Sequence, residues 1–219
     1  MNEKIAQKIE KRDDGRWYIE YDWYPKALPD NLVMEDLVYP DTTYSFACFH
    51  SILPEGFKIG YASGNYLHSH FYVGENGKVT IGKYVILETT HILANKGVTI
   101  GNNCMFSWGS VVTDSWVDPS TYSSENRKKI LEKLARSENR FLEMPDAKPV
   151  FIGDNVWVGF DAVILPGVQL GRGCVVGSRT VISEDVPPYA VIVGNPPRIV
   201  KYLEADDTEE EYANVVKNL

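Results

Sequence analysis

IGDNVWVGFDAVILPGVQLGRGCVVGSRTVISEDVP, the stretch at residues 152–187, repeats one pattern every six residues. An aliphatic residue opens each hexad, and a second column of mostly small or aliphatic residues stands four places later. The two columns are Ile152, Val158, Ile164, Leu170, Val176 and Ile182, and Val156, Ala162, Val168, Cys174, Thr180 and Val186. An α-helix cannot use a period of six, and a hairpin pattern alternates by two. The repeat therefore predicts short strands stacked as a coiled, parallel ribbon.

The same phase continues upstream with one irregularity. Its opening positions are Leu67, Val73, Ile81, Leu87, Leu93, Ile100, Phe106 and Val112. A one-residue slip falls at residues 94–97, a turn-prone stretch where we expect a bulged corner. The hexads together predict about four to five coils.

Three segments fall outside the period. Residues 113–149 interrupt it and contain SSENRKKILEKLARSENRFL, whose apolar residues have helical spacing, so we expect an inserted loop that carries a helix. Residues 203–219 contain a capping-box pattern and predict a C-terminal α-helix. Residues 1–58 show no clean period and are interpreted as an N-terminal cap. The predicted fold is mainly β, a parallel β-helix over residues 59–202 with these additions.

Composition excludes several classes of protein. The 219 residues carry 22 basic and 30 acidic side chains, a formal charge of −8, which argues against a general nucleic-acid or anionic-membrane binder. The chain shows neither a signal-peptide pattern nor a long apolar run, so we expect a cytoplasmic protein with no membrane partner. Its 3 cysteines are scattered and are interpreted as reduced packing residues.

Residues 152–202, which continue the repeat into ISEDVPPYAVIVGNPPRIVKY, resemble the hexapeptide-repeat acyltransferases, a class that includes sugar and xenobiotic acetyltransferases. The resemblance implies a left-handed coil, although parallel crossovers are generally right-handed. It also implies a homotrimer with active sites at the subunit interfaces. The co-substrate it implies is acetyl-CoA or another acyl-CoA lying along the β-helix, and no metal is expected.

The resemblance directs attention to the C-terminal coils as the place for coenzyme A. An acidic protein needs local cations for the phosphates of this ligand, corner amides for its pantetheine amides and an apolar wall for its chain. The candidates are Arg179, Arg198 and Lys201 as cations, Gly159 and Gly177 as amide donors, and Trp157 as the wall. Taken one by one, these are also ordinary surface cations and corner glycines, and Trp157 also fits a packing role between subunits.

Many relatives present a catalytic histidine in a loop that here corresponds to residues 106–119, and the best alignment places Val117 at that position. A neutral amine attacks a thioester without a base, whereas a hydroxyl depends on one. We therefore expect N-acylation of an amino sugar, carried on a nucleotide. Asp114, Glu88 and His91 are the candidates to orient or deprotonate the acceptor, and His91 is expected to face the coil interior or its lip.

Other residues leave further readings open. Arg127 and Arg140 of the insert are candidates for binding the acceptor. His68 and His70 stand two apart and suit a metal, but a third ligand is not evident. The alternatives are O-acetylation of a hydroxyl, a metal-dependent hydratase like the γ-class carbonic anhydrases, which need three histidines, and a non-catalytic β-helix scaffold.

Overall fold

The computed structural model describes residues 9–116, 123–137 and 146–205. An antiparallel hairpin of β1 (Ile9–Lys11) and β2 (Trp17–Ile19) comes first. Three sheets then wrap around a common core. Face 1 contains β3 (Leu32–Met34), β5 (Phe57–Ile59), β8 (Val79–Ile81), β11 (Val98–Ile100), β14 (Val150–Ile152) and β17 (Gln169–Leu170).

Face 2 is the largest sheet and ends in an antiparallel pair. It contains β4 (Tyr39–Pro40), β6 (Gly64–Tyr66), β9 (Ile86–Glu88), β12 (Met105–Phe106), β15 (Trp157–Val158), β18 (Val175–Val176), β20 (Ala190–Val193) and β21 (Arg198–Tyr202). Face 3 contains β7 (His70–Val73), β10 (His91–Ala94), β13 (Val111–Thr113), β16 (Val163–Ile164) and β19 (Val181–Ile182). The chain visits faces 1, 2 and 3 in turn, which produces a three-sided parallel β-helix.

Buried side chains stack in register from coil to coil. On face 1, Ile81 pairs with Ile100, which pairs with Ile152, and all three side chains are buried. The same holds on the other two faces, so the hexads deliver their inward side chains to a single continuous core. Both columns predicted over residues 152–187 are buried, because only stacking hides the inward side of such short strands.

Two of the upstream positions were predicted wrongly. Leu67 is exposed, and Leu93 points outward because Ile92 occupies the inward place, paired with Val112. The inward residues Leu87 and Ile92 are one residue closer in sequence than a period of six requires. The repeat is therefore shifted at this corner as well as at residues 94–97. The outward side of this strand consequently starts with His91.

The coils begin earlier than the hexads suggested. Strands β3 and β4 already belong to faces 1 and 2, and Phe49 forms a bridge to Val73 of β7. Strands β3 and β4 and Phe49 all precede residue 59, the predicted start of the β-helix. A 310 helix at Thr43–Phe46 separates β4 from Phe49, and this irregular first coil hides the period in the sequence. The domain division proposed from the sequence stays a prediction.

The insert carries the predicted helix, α1 (Ser124–Arg136), and none of its residues is buried. This is the helix of the described ranges, and it is neither long nor apolar enough to cross a membrane. The predicted C-terminal helix falls on residues that lie, from 206 onward, outside the described part of the chain. The fold class was therefore correct for the β-helix and for the insert.

Close packing between coils leaves no room for a side chain at Gly77, whereas Gly97 has room for one. A Cβ atom added at Gly77 would lie 2.1 Å from the carbonyl oxygen of Ala94, a contact that the backbone must move to relieve. At Gly97 the nearest atom would be 3.8 Å away. We expect Gly77→Ala to lower the free energy of unfolding by about 1–3 kcal/mol and Gly97→Ala to change it by less than about 1 kcal/mol. Urea denaturation of both variants measures the difference, and equal effects would contradict the described packing.

Candidate active site

The corners between faces 2 and 3 stack into a continuous ridge, here called the 2/3 edge. Its corners are residues 67–69, 89–90, 107–110, 159–162 and 177–180. Backbone hydrogen bonds join one corner to the next: Arg179 N–H to Phe160 O at 2.7 Å, Asp161 N–H to Trp108 O at 3.0 Å and Gly109 N–H to Thr89 O at 3.2 Å. The edge thus fixes the order in which side chains from distant parts of the sequence follow one another.

Two histidines stand beside this edge on neighbouring coils. His91 and His70 are the first residues of β10 and β7, and they pair in register. Their rings stack with centroids 5.4 Å apart and planes at 15°, and Tyr72 lies 6.2 Å from His91. Both imidazoles are half-buried and point outward, because Phe71 and Ile92 take the inward positions. Of the two positions expected for His91, the coil interior was wrong, because Ile92 takes that place.

Both histidines are held neutral by their surroundings. Burial lowers the pKa of His91 below its usual 6.5, because the charged ring loses water. Burial also lowers the pKa of His70, and the neighbouring His91 and His68 lower it further. At neutral pH the imidazole of His91 is therefore uncharged and has a ring nitrogen that can accept a proton.

Glu88 lies at the same corner as His91. It is the last residue of β9 on face 2, and only Thr89 and Thr90 separate it from the start of β10. Its side chain is half-buried on the outward side, since Leu87 takes the inward place. Two of the three predicted catalytic residues therefore flank one corner of the 2/3 edge.

Asp114 lies away from His91 and Glu88 and has a structural role. It follows β13, at the far end of face 3 from His91, and it is completely buried. Its carboxylate accepts the backbone N–H groups of Asn95 (2.9 Å), Lys96 (2.7 Å) and Gly97 (2.7 Å) and the hydroxyl of Ser115. Charge-assisted bonds of this kind hold the irregular corner in place. The structure disfavours the prediction that Asp114 acts on the acceptor, because both of its oxygens already accept hydrogen bonds from the corner at residues 95–97.

An outward row on face 2 connects two of the predicted coenzyme-binding residues. Trp157 pairs with Val175, Val175 with Val191, and Val191 with Lys201, so the four follow one another across β15, β18, β20 and β21. Three strand spacings separate the ends, about 14 Å. The indole N–H of Trp157 lies 3.3 Å from the hydroxyl of Ser107. Trp157 and Lys201 are exposed and the two valines are half-buried, which yields an apolar strip that ends in a cation.

The remaining predicted cations lie near this strip. Arg179 occupies the last corner of the 2/3 edge, with its guanidinium 3.6 Å from the carboxylate of Asp161, and both groups are exposed. Arg198 begins β21 and is exposed as well. Arg127 lies exposed on α1, whereas Arg140 and Val117 fall outside the described residues. The structure thus brings Arg179, Arg198 and Lys201 to one end of the β-helix and does not bring Arg127 into that group.

Gly159 and Gly177 do not have free amides. Their N–H groups donate to the carbonyl oxygens of Val176 and Ile192, each at 2.8 Å, as part of the stacking between coils. A Cβ atom at either glycine would lie 2.7 Å from an atom of the next coil. Their role as donors to pantetheine is therefore corrected, because they are corner glycines required by packing.

Sequence reasoning missed Trp108 and Phe160, which lie on the 2/3 edge between Arg179 and His91. Their rings meet edge to face with centroids 5.8 Å apart, and each is about half exposed. An aromatic residue at an outward hexad position was the available signal. Among the described residues, no group of three or more histidine, cysteine, aspartate or glutamate side chains converges to hold a metal ion.

Loss of the Asp114 charge is expected to destabilise the protein. In Asp114→Asn, the amide nitrogen cannot accept, so the backbone N–H groups of residues 95–97 must share one oxygen that no longer carries a charge. We expect the free energy of unfolding to fall by about 1–3 kcal/mol. Glu88→Gln is the matched control, and chemical denaturation is the measurement. Equal stability of the two variants would contradict the structural role.

The histidine pair is expected to make stability depend on pH. Because both pKa values are lowered by folding, the unfolded chain takes up protons first as the pH falls through about 6.5, and stability declines from there downward. A His70→Gln, His91→Gln double variant removes this contribution. We expect its melting temperature to fall less than that of the wild type between pH 7.5 and 5.5. An equal fall in the variant and the wild type would contradict the burial of the pair.

Comparisons with known proteins agree with this architecture. Residues 149–184 match the family model described as bacterial transferase hexapeptide (six repeats). Over 79 residues the chain is 39% identical to a 2,3,4,5-tetrahydropyridine-2,6-dicarboxylate N-acetyltransferase of Staphylococcus aureus, a match that covers 36% of this chain and 33% of the relative. The match therefore spans about a third of the length of this relative.

Two solved structures extend the likeness over most of the chain. A hexapeptide-repeat-containing acetyltransferase of Vibrio cholerae, complexed with acetyl coenzyme A, superimposes with a TM-score of 0.52 at 22% identity, covering 74% of this chain and 75% of that one. AntD, an N-acyltransferase of Bacillus cereus in complex with dTDP and 3-hydroxybutyryl-CoA, gives 0.52 at 18% identity, covering 86% and 89%. The chain thus carries the bacterial transferase hexapeptide repeat on the left-handed parallel β-helix of the hexapeptide-repeat acyltransferases.

Proposed function

We propose that this protein is an acyltransferase that moves an acyl group from acetyl-CoA or another acyl-CoA to the amine of a sugar, including an amino sugar carried on a nucleotide. The order of side chains along the 2/3 edge carries the proposal. Arg179 occupies one end, Trp108 and Phe160 follow, and Glu88 and His91 flank the corner beyond them. Cations, an apolar wall and a proton acceptor thus appear in the order that an acyl-CoA and its acceptor need.

Coenzyme A suits the C-terminal coils chemically. Its phosphates are anionic, and Arg179, Arg198 and Lys201 concentrate positive charge there on a chain of net charge −8. Its pantetheine arm is long and mostly apolar, and the strip from Lys201 to Trp157 offers a matching surface. The two solved relatives named above were determined with acetyl coenzyme A and with an acyl-CoA, which supports this choice of donor.

In this proposal the thioester lies between the Trp108–Phe160 ring pair and His91. These groups lie on consecutive coils of the 2/3 edge, which are about 4.8 Å apart. Half-exposed rings exclude water from one side of the thioester and leave the other side open to the acceptor. Holding the two reactants in one geometry supplies much of the acceleration in such reactions.

The reaction proceeds by addition and elimination. The lone pair of a neutral amine attacks the thioester carbonyl carbon, a C–N bond forms, and the carbonyl oxygen becomes an oxyanion. The nitrogen then loses a proton, which the neutral imidazole of His91 accepts. The intermediate collapses, the C–S bond breaks, and coenzyme A leaves as a thiolate that takes up a proton. Glu88, across the corner, positions the amine or receives the proton in turn.

A homotrimer is part of the proposal, as the resemblance implies. Large apolar side chains lie on the outward sides of faces 1 and 2: Phe151 is 49% exposed, Met105 47% and Ile86 39%. Contacts with further copies of the chain would remove this surface from water.

O-acylation of a sugar hydroxyl is the second candidate, and the neutral state of His91 favours it. A hydroxyl needs a general base, and a half-buried, neutral imidazole beside the thioester provides one. The two candidates differ in how strongly they depend on this residue, and a single variant separates them.

Replacement of His91 is expected to affect the two kinds of acceptor unequally. Loss of a general base typically costs about 10²–10⁴-fold in rate for a hydroxyl, and less for an amine that is already neutral. We expect His91→Gln to lower transfer to an amino sugar by about tenfold at pH 8, measured as thiol release from acetyl-CoA. A loss near the upper end of that range would favour O-acylation, and an unchanged rate would remove His91 from the site. His50→Gln, at the other end of face 3, is the matched control and should leave the rate unchanged.

Binding of acetyl-CoA is expected to depend on the cations of the C-terminal coils. Calorimetry should show that Arg179→Ala and Lys201→Ala each weaken binding by about 3- to 10-fold, and that the loss shrinks at high salt. Lys58→Ala removes the same charge from face 1 and should leave the affinity unchanged. Two results would contradict the proposed donor site. Lys58→Ala could weaken acetyl-CoA binding as much as the other two variants do, or the folded wild-type protein could fail to bind acetyl-CoA.

A further inference from the structure

We infer that five rings beside the 2/3 edge bind the pyranose ring of the acceptor sugar. They belong to Trp23, Tyr44, His68, His70 and Tyr72 and are called here the aromatic platform. The inference rests on the proposed acyl transfer and deepens it, because it assigns the acceptor a place and a chemical class. That class is a sugar unit that is neutral or carries an amine, and any phosphate group of the acceptor lies away from the rings.

The rings of the platform form one unbroken series. Trp23 lies 5.2 Å from Tyr44 and 6.1 Å from His68, and Tyr44 lies 5.3 Å from His70, measured between ring centroids. His70 in turn stacks on His91. The series therefore leads from Trp23, which is 61% exposed, to the residue proposed to accept the proton.

The platform lies on the opposite side of His91 from the donor site. Strand β7, which carries His70 and Tyr72, pairs with β10 on one side, and β13 pairs with β10 on the other. Arg179, Phe160 and Trp108 all belong to coils beyond β10 on the β13 side. A donor that arrives from the C-terminal coils and an acceptor on the platform would thus meet at His91.

A half-buried hydrogen-bond network holds the backbone next to Trp23 in place. The carboxylate of the preceding residue, Asp22, accepts the hydroxyl of Thr42 at 2.7 Å and both the hydroxyl and the N–H of Thr43 at 2.6 Å. Burial alone would raise the pKa of this carboxyl, but the bonds from Thr43 and Thr42 outweigh it and keep the pKa below its usual value. The exposed indole therefore sits on an ordered backbone, which reduces the entropy lost on binding.

Neighbouring rings within the platform are about 6 Å apart or closer, so they pack against one another and leave no cage between them for a small cation. Successive rings meet at steep angles, 49° between Trp23 and Tyr44 and 81° between Tyr44 and His70, so the platform is a faceted wall in which the exposed indole of Trp23 offers apolar ring surface to the C–H face of a pyranose. Among the described residues, the cation–π contacts of arginine and lysine are made to the rings of Trp17, Tyr18 and Tyr189. None of these rings belongs to the platform.

Charge around the platform selects against phosphate. Asp41 accepts the backbone N–H of His68 at 3.2 Å, and its carboxylate lies 3.9 Å from the imidazole of that residue. A carboxylate beside the rings repels a diphosphate and attracts an ammonium group. A nucleotide, if the acceptor carries one, would have to extend away from these rings.

Direct binding tests the platform without any turnover. The full-length protein is titrated by calorimetry with methyl glucosaminide, and separately with dTMP and with acetyl-CoA. Stacking on one aromatic ring changes affinity by about 5- to 150-fold. We expect Trp23→Ala to weaken binding of methyl glucosaminide at least tenfold and to leave binding of acetyl-CoA unchanged. Trp17→Ala, which removes an indole of similar exposure from β2, is the matched control. Tyr44→Leu provides a second removal if Trp23→Ala fails to fold.

Every outcome of this experiment decides the inference. A selective loss in Trp23→Ala or Tyr44→Leu supports it. An equal loss in Trp17→Ala, no binding of the glycoside by the wild type, or binding of dTMP that Trp23→Ala abolishes would each overturn it. Failure of the proposed function is seen separately, as absence of acetyl-CoA binding by a protein that still binds the glycoside.

Discussion

In-register stacking of parallel coils is the constraint on which the rest of this structure depends. Each strand is only 2 to 5 residues long, and none of them has a core of its own. Apolar side chains such as Ile100, Phe106 and Val112 are buried only because the same position of the next coil covers them. The stacking therefore fixes both which side chains point inward and which corners lie above one another.

The candidate site is a consequence of that stacking. Residues as distant in sequence as His70, His91, Trp108 and Arg179 come together because their corners are consecutive along one edge of the β-helix. An edge of this kind is a linear surface, suited to an elongated ligand such as an acyl-CoA. Departures from regularity set the positions of the candidate residues: the short corner after Leu87 turns His91 outward, and the buried carboxylate of Asp114 holds the irregular corner at residues 95–97.

The sequence predicted the β-helix and the inserted helix well, because a strict period of six has few structural solutions. It predicted the first coil poorly, since proline-rich connections and the 310 helix at Thr43–Phe46 interrupt the period. Site residues were harder still. The row from Trp157 to Lys201 was partly anticipated, but Asp114 was misjudged, because a sequence does not show that a carboxylate is enclosed by backbone N–H groups. The stacking of His70 on His91 depends on coil register, which the slipped hexad concealed.

The central claim is that the 2/3 edge, from Arg179 to His91, is where acyl transfer takes place. A crystal structure of the protein with coenzyme A tests it most directly, because it locates the sulfur atom. We expect the sulfur at this edge, between the Trp108–Phe160 ring pair and the imidazole of His91, with the phosphates near Arg179 and Lys201. A coenzyme bound on face 1, or one whose sulfur lies far from His91, would contradict it.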